Sequence, residues 1–465
     1  MHTGTSETIP RRFLAVPSLD DMTRLFACSR GVGIAALAGL LAASGCAKNP
    51  AGDDDDDAPP RPDGGMPPTM RCEGSGMANQ PFGNHARAYA TGAILPEGDA
   101  AERDAAVIQA YRIWKDRYVT QGCGDGRYYV RTGMDGHLTV SEAHGYGMVI
   151  TAYMAGPDPD ARTVFDGMFR YFRDHPSSST SELMAWSQDA ACRNNEGPDS
   201  ASDGDLDIAY ALLLADKQWG SSGDIDYHAE ALKVLGGISR GDLDRGGSYI
   251  LLGDWATPGD PQYDATRTSD FMPSHLRSFG AASGDPVWAQ VADRTYTMVA
   301  ALQAGPGADT GLLPDFVLSP LTEPRPAGPD FLEGAADGAY SWNACRDPWR
   351  LAMDFLLNGD ARARDAVQKI NGWLQRATGG DPGQIGSGYQ LGGDRLPNRE
   401  WRAMAFMAPF AVGAMVDGAN QQWLNALWPE ILGEDDNEYY ADTLKMLALV
   451  ALSGNWWSPE AAPCR

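Results

Sequence analysis

Apolar residues recur at three- and four-residue spacing along most of the chain after about residue 80, a pattern that predicts α-helices. Strand-like alternation is scarce, and its best example is the short segment 128–131. The pattern therefore predicts an all-α fold. The clearest predicted helical segments are residues 105–118, 147–155, 206–217, 287–302, 349–357 and 403–416.

Two kinds of helix alternate in this pattern. Residues 208–215 are apolar on nearly every side, whereas residues 226–235 are apolar on one face only. Helices that are apolar all round are buried, and amphipathic helices face water. Small turns with Gly and Asp, as at Gly220 and Gly284, recur about two helices apart. We therefore expect one closed barrel of helical hairpins, with an inner ring inside an outer ring.

The chain is strongly acidic. Its 465 residues contain 37 Lys and Arg against 62 Asp and Glu, which gives a formal net charge of -25. Nucleic acids and anionic membrane surfaces bind basic patches, so this balance argues against both as partners. A neutral or cationic partner is compatible with the charge, and so is a role in solubility alone.

The N-terminal region is typical of an export signal. The apolar run 32–43 is shorter than the ~20 residues that a membrane span needs, and it fits a signal peptide. It ends in a small-residue triplet before Cys46, which resembles the lipobox of bacterial lipoproteins. We expect an exported monomer, either anchored by lipid at Cys46 or secreted, with Met22 as an alternative start. The predicted division is a signal peptide at 1–46, an acidic Pro/Gly-rich linker at 47–75 and a catalytic domain at 76–465.

The cysteines show no paired-Cys or Cys/His spacing typical of a metal site, so we expect neither a metal nor another cofactor. Five cysteines follow the signal, and an exported protein can join two of them. Our expected pair is Cys72 with Cys123, although spacing alone leaves other pairings open. The five are Cys72, Cys123, Cys192, Cys345 and Cys464.

Three acidic segments lie at predicted segment boundaries beside Gly and aromatic residues. In the first, Ser141 can cap a buried helix and Glu142 follows in its first turn, where a carboxylate can simply complement the helix dipole. The second places Asp203, Asp205 and Asp207 at the head of a very apolar helix. Gathering three carboxylates there is electrostatically costly, which indicates either a cleft or surface capping.

The third acidic segment runs from residue 330 to residue 350 and contains Glu333 among several aromatic residues. Flat aromatic rings can stack on the apolar faces of sugar rings, although any of them can equally be part of the core. Glycoside hydrolysis needs a proton donor and, in its inverting form, a second carboxylate that activates water. The chain lacks a Gly-Xaa-Ser-Xaa-Gly elbow, a phosphate-binding loop and a His pair with ligand spacing.

At these three segments the sequence resembles glycoside hydrolase family 8. The run 201–219 resembles that family's signature, the block from Ser141 to Met148 resembles the one that holds its general acid, and residues 346–350 resemble a later block. The resemblance implies an (α/α)6 barrel and an inverting attack on β-1,4-linked polysaccharide, either β-glucan or chitosan. It implies that Glu142 is the general acid and that Asp203 holds the distorted sugar.

One position separates two branches of the family. The cellulase- and xylanase-like branch has an Asp as general base where this chain has Asn343, which cannot accept a proton at neutral pH. A second branch, with chitosanases and β-1,3-1,4-glucanases, has Asn there and takes its base from an upstream Glu. Glu333 stands at that place, so the resemblance implies that Glu333 is the base. Asp337 and Asp347 become the next candidates if replacing Glu333 leaves activity near normal. Residues 269–273 and 310–316 also resemble this branch.

As general acid, Glu142 must start protonated, although a helix N-terminus favours the ionised form. Burial against Tyr146 and repulsion from Asp203 would have to raise its pKa. The rival hypothesis from another class is a catalytically inactive, surface-anchored polysaccharide-binding protein, which would have lost a carboxylate. The expected substrate-binding residues are Tyr146, Trp186, Asp205, Tyr340, Trp342, Asn343, Arg346 and Trp349.

Overall fold

The computed structural model describes residues 78–85, 87–134, 136–195, 197–397, 403–433 and 435–461. The predicted signal peptide, the lipobox-like end and the linker lie outside these residues, as do Cys72 and Cys464. The described part of the chain contains twelve α-helices. They are α1 Ala100–Tyr118, α2 Ser141–Tyr153, α3 Ala161–Asp174, α4 Ser202–Trp219, α5 Tyr227–Gly241, α6 Pro273–Ser283, α7 Val287–Ala304, α8 Asp347–Asn358, α9 Ala361–Thr378, α10 Met404–Ala414, α11 Gln421–Gly433 and α12 Tyr439–Leu452.

The even-numbered helices form a closed inner ring. Each packs against the next in the order α2, α4, α6, α8, α10 and α12, and α12 returns to pack against α2. Each odd-numbered helix packs outside this ring, with α3 on α2, α5 on α4, α7 on α6, α9 on α8, α11 on α10 and α1 on α12. The fold is therefore an (α/α)6 barrel, which confirms the predicted barrel of hairpins.

Burial separates the two rings as the hydrophobic pattern predicted. Helix α4 buries every residue except Lys217, and α12 buries every residue except Tyr440. The outer helix α5 instead buries one face, including Val234 and Ile238, and exposes the other. An inner helix is surrounded by protein on all sides, so only a residue pattern without a polar face can form it.

The part of the chain that the structure describes contains seven short strands, all in the connections between helices. Strands β1 Val119–Gln121 and β2 Tyr128–Val130 form a hairpin, which confirms the strand predicted at 128–131 except for its last residue. Strands β3 Thr139–Val140 and β4 Ser187–Gln188 pair just before α2. Strands β5 Ala265–Arg267, β6 Phe316–Leu318 and β7 Arg325–Pro326 form a three-stranded antiparallel sheet.

Two local predictions are wrong. Ser141 does not cap α2, because Val140 is held extended by its pairing with Ser187 and itself occupies the cap position, so that the helix begins at Ser141. Cys123 does not pair with Cys72, because it forms a disulfide with Cys192. The latter pair joins the β1–β2 hairpin to the segment after β4, a proximity that the order of residues along the chain does not reveal.

Candidate active site

The first turns of α2 and α4 meet because each helix has a glycine at the crossing. A Cβ on Gly204 would lie 2.5 Å from Ser141 Oγ, and a Cβ on Gly145 would lie 2.9 Å from the Gly204 carbonyl oxygen. Packed interiors do not accommodate such distances. The glycines therefore allow Glu142 and Asp203, each in the first turn of its helix, to reach one guanidinium group.

That guanidinium belongs to Arg346, which is 1% exposed and lies at the start of α8. Its Nη1 donates to Glu142 Oε2 at 2.8 Å and to Asp203 Oδ2 at 3.0 Å. Its Nη2 donates to Asn343 Oδ1 at 2.8 Å, and Asn343 Nδ2 donates to Glu333 Oε2 at 2.7 Å. A continuous hydrogen-bonded chain thus joins the three carboxylates that the sequence singled out.

The environment of Glu142 favours its protonated form. Burial raises the pKa of Glu142 to about 7, with Arg346 lowering it and the charge of Asp203 raising it further. The structure thus agrees with the expected burial and repulsion, which outweigh the lowering effects of Arg346, Tyr439 and Arg267 on this pKa. Near neutral pH both forms of Glu142 are populated.

Asp203 has the opposite electrostatic character. Burial alone would raise the pKa of Asp203, but the guanidiniums of Arg267 and Arg346 outweigh that effect and lower it. Arg267 Nη1 lies 3.6 Å from Asp203 Oδ2. Two neighbouring carboxyl groups, Glu142 and Asp203, are therefore driven toward different protonation states by their surroundings.

Tyr439 and Arg267 belong to this site although the sequence analysis did not identify them. The Tyr439 hydroxyl donates to Glu142 Oε1 at 2.9 Å from a position 297 residues further along the chain. Arg267 ends strand β5, two residues before the segment 269–273 that resembles one family branch. In the sequence, only that neighbouring resemblance pointed to Arg267 as a site residue. Helix periodicity did not distinguish Tyr439 from a core residue.

The two other aspartates proposed as alternative bases are not available for that role in this structure. Asp337 is buried, and its two oxygens accept hydrogen bonds from the backbone N–H groups of Leu332, Glu333 and Gly334. Asp347 is fully buried in the first turn of α8. Glu333 is instead exposed, in the loop that follows β7.

Two of the predicted aromatic contacts face solvent. The Trp342 side chain is 41% exposed and rests on Phe406, with Tyr440 beside it. Trp186 is partly exposed and packs on the ring of His137, with ring centroids 5.2 Å apart. Their exposure keeps both rings as candidate contacts for a sugar ring.

The structure does not bring four other predicted substrate contacts to an exposed surface. Tyr340 packs against Phe410 in the core, and Trp349 is buried beneath the Arg350 guanidinium. Tyr146 is fully buried, and its hydroxyl accepts a hydrogen bond from Arg346 Nη1 at 3.0 Å, so it helps to hold that guanidinium in place. Asp205 is also fully buried and accepts the Met184 backbone N–H at 2.9 Å.

The described residues contain no group of three His, Cys, Asp or Glu side chains arranged to hold a metal ion. No helix among them is long and apolar enough to cross a membrane.

The chain is similar to known proteins in both sequence and fold. The sequence model for glycosyl hydrolases family 8 matches residues 98–454. A β-glucanase from Niallia circulans is 45% identical, across 82% of this chain and 92% of the relative. An endoglucanase from Bacillus sp. (strain KSM-330) is 37% identical, across 76% of this chain and 77% of the relative. The apo structure of a β-1,3-1,4-glucanase from Paenibacillus sp. X4 superposes with a TM-score of 0.79 at 44% identity, covering 82% of this chain and all of that one.

Proposed function

Because the chain belongs to glycosyl hydrolases family 8 and is an endo-acting glycoside hydrolase, we propose that it cleaves β-1,4 linkages in a β-glucan with inversion of configuration. The observation that carries the proposal is the chain of hydrogen bonds from Glu142 through Arg346 and Asn343 to Glu333. It connects Glu142, whose pKa lies at about 7, with the exposed Glu333. Inversion needs a pair of carboxyl groups, one as acid and one as base.

In this proposal Glu142 protonates the glycosidic oxygen. Arg346 can only donate hydrogen bonds, so Oε2 of Glu142 is unfavourable for a proton and the acidic hydrogen belongs on Oε1. Tyr439, which contacts Oε1, can rotate its hydroxyl to accept that hydrogen before the substrate arrives. As the linkage breaks, the proton passes to the leaving oxygen and Glu142 becomes a carboxylate facing Arg346.

Glu333 is the proposed base. It removes a proton from the water that attacks the anomeric carbon, while Asp203 holds the sugar at the cleavage point. Arg346 and Asn343 stand between Glu142 and Glu333 in the hydrogen-bonded chain, so the two carboxyl groups are not in direct contact. The proposal requires a gap between them that holds the attacking water. In inverting enzymes the gap is about 6.5–9.5 Å.

Chitosan is the second candidate substrate, favoured by the net charge of -25. Against it, Arg267 and Arg346 flank Asp203, so the centre of the site also carries positive charge. The names of the β-glucanase relatives further support a neutral glucan. We also propose that the protein is an exported monomer, anchored through Cys46 or secreted.

A reducing-sugar assay across lichenan, carboxymethyl-cellulose, chitosan and xylan tests the proposal, with Glu142→Gln as the matched control. We expect the purified wild-type protein to release sugar fastest from a β-glucan, and the variant to release almost none. Fastest release from chitosan would replace the glucan assignment. Binding without release from any substrate would favour the non-catalytic polysaccharide-binding protein.

A further inference from the structure

We propose that Asp337 is a positioning residue for the base: its buried carboxylate gathers three consecutive backbone N–H groups and thereby fixes the loop that presents Glu333. The inference rests on the proposed role of Glu333 and adds a residue that acts only through it.

The contacts are concentrated on one side chain. Asp337 Oδ2 accepts the N–H groups of Leu332 at 2.7 Å and Glu333 at 3.0 Å, and Oδ1 accepts the N–H of Gly334 at 2.9 Å. Asp337 is 3% exposed, whereas Glu333 above it faces solvent. A carboxylate that accepts several N–H groups in a buried setting holds them firmly, because charge-assisted hydrogen bonds are stronger than neutral ones.

The loop contains no helix or strand, and Asp330 and Gly334 adopt positive φ angles of 57° and 157°. One backbone hydrogen bond closes it, from the N–H of Asp330 to the Gly334 carbonyl oxygen at 2.8 Å. Phe331 packs on Phe316 with ring centroids 5.8 Å apart, which fixes one edge of the loop. The backbone at Glu333 itself is fixed by Asp337.

The partner of the base is held in the same way. Asp315 Oδ1 accepts the N–H groups of Ser341 at 3.0 Å, Asn343 at 3.2 Å and Ala344 at 2.7 Å. The backbone N–H groups of Glu333 and Asn343, the two residues of this hydrogen bond, therefore each donate to a buried aspartate.

The segments that carry these two aspartates are themselves bonded. The N–H of Phe316, next to Asp315, donates to the Asp337 carbonyl oxygen at 3.0 Å. Glu333 and Asn343 are thus positioned by one connected framework rather than by two independent loops. That connection uses the Asp337 backbone, which Asp337→Asn keeps, whereas the N–H groups around Glu333 bond to the carboxylate that it alters. We therefore expect the substitution to displace the carboxylate of Glu333 while Asn343 and the rest of the cleft stay in place.

Asp337→Asn tests this role, and Asp330→Asn is the matched control. The asparagine keeps one acceptor oxygen but turns an NH2 group toward at least one backbone N–H. The control makes the same chemical change on the same loop, at an exposed position where asparagine tolerates the positive φ. We expect kcat on lichenan, or on whichever polysaccharide the assay selects, to fall by about 10- to 100-fold in Asp337→Asn, the scale of a small misplacement of a catalytic group. The KM of Asp337→Asn should change little, and so should both kcat and KM of Asp330→Asn.

A double-mutant cycle with Glu333→Gln separates a positioning role from a general one. If Asp337 acts through Glu333, then Asp337→Asn should cause little further loss of kcat in the Glu333→Gln background. Thermal unfolding of each variant shows whether the barrel remains intact. An equal further loss in both backgrounds, or an undiminished kcat in Asp337→Asn, would overturn the inference while leaving the base assignment in place. A near-normal kcat in Glu333→Gln would overturn the assignment of Glu333 as base, and this inference with it.

Discussion

Asn343 Nδ2 donates a hydrogen bond to Glu333 Oε2 at 2.7 Å, while the side-chain oxygen Oδ1 of the same amide accepts one from Arg346 Nη2 at 2.8 Å. An amide suits this position because it offers a donor to the carboxylate and an acceptor to the guanidinium at once. An aspartate there would place a second negative charge against Glu333. The presence of Asn343 and that of a glutamate in the upstream loop are therefore physically linked.

The first prediction concerns the base. Glu333→Gln keeps the shape of the side chain but cannot take a proton from water, so kcat should fall by ~10² or more. KM should change little, because the same groups still line the cleft. Asn343→Ala should be milder, since it removes the orienting partner but not the base. Near-normal turnover in Glu333→Gln, with inverted product still formed, would contradict the assignment.

The second prediction concerns pH. Since Glu142 must be protonated and its pKa lies at about 7, kcat/KM should fall as pH rises through about 7. The Tyr439 hydrogen bond lowers the pKa of Glu142, so Tyr439→Phe should move this alkaline limb to higher pH. The charge of Asp203 raises that pKa, so Asp203→Asn should move the limb to lower pH. Shifts in the same direction in the two variants would argue against Glu142 as the titrating group.

The third prediction separates surface from core aromatics. Trp342→Ala should raise KM several-fold with little loss of stability, because its ring is 41% exposed. Trp349→Ala should instead lower the free energy of unfolding by roughly 3–5 kcal/mol, the usual result of emptying a buried aromatic site. Denaturant unfolding and initial-rate kinetics on both variants measure the contrast. Equal effects on KM would show that exposure does not distinguish their roles.

The fourth prediction concerns the disulfide between Cys123 and Cys192, which are 69 residues apart in sequence. Closing a loop of that length restricts the unfolded chain, so reduction should lower the free energy of unfolding by roughly 2–4 kcal/mol. A Cys123→Ser/Cys192→Ser variant should show the same loss and no further response to reductant. Identical stability of oxidised and reduced wild-type protein would contradict the prediction.

The fifth prediction concerns export. If the residues before Cys46 are a lipobox, Cys46→Ser should release the protein from the membrane fraction or block its processing. Fractionation and the mass of the mature protein measure this outcome. An unchanged distribution and mass in the variant would leave ordinary secretion as the explanation.

Much of the architecture could be predicted from the sequence because it depends on local periodicity. Helices apolar on all sides, such as α4, can only be buried, and amphipathic ones such as α5 must cover them. The signature run and the acid block likewise placed Glu142 and Asp203 in the first turns of two inner helices, where the structure has them. Resemblance also indicated that Glu333, and not Asn343, is the group able to accept a proton.

Tertiary structure decided which polar and aromatic side chains meet. Asp203 and Asp205 lie two residues apart, so they point to different sides of α4, and only the surrounding helices determine that one side is the cleft and the other is core. Tyr340 and Trp349 are also buried because of the elements packed around them, which their place in the sequence does not reveal. Helix periodicity fixes which residues share a face, but it does not specify what that face contacts.

Several contacts between residues far apart in sequence depended on the closure of the ring and on its rim connections. Tyr439 reaches Glu142 because α12 returns to pack against α2, 297 residues after that glutamate. The pairing of Cys123 with Cys192 and the position of Arg267 beside Asp203 also arise from folding of the rim connections. The sequence by itself determined the helices and the acidic groups, because these depend on nearby residues. The protonation state and orientation of those groups depend on neighbours that only the folded barrel brings within hydrogen-bonding distance.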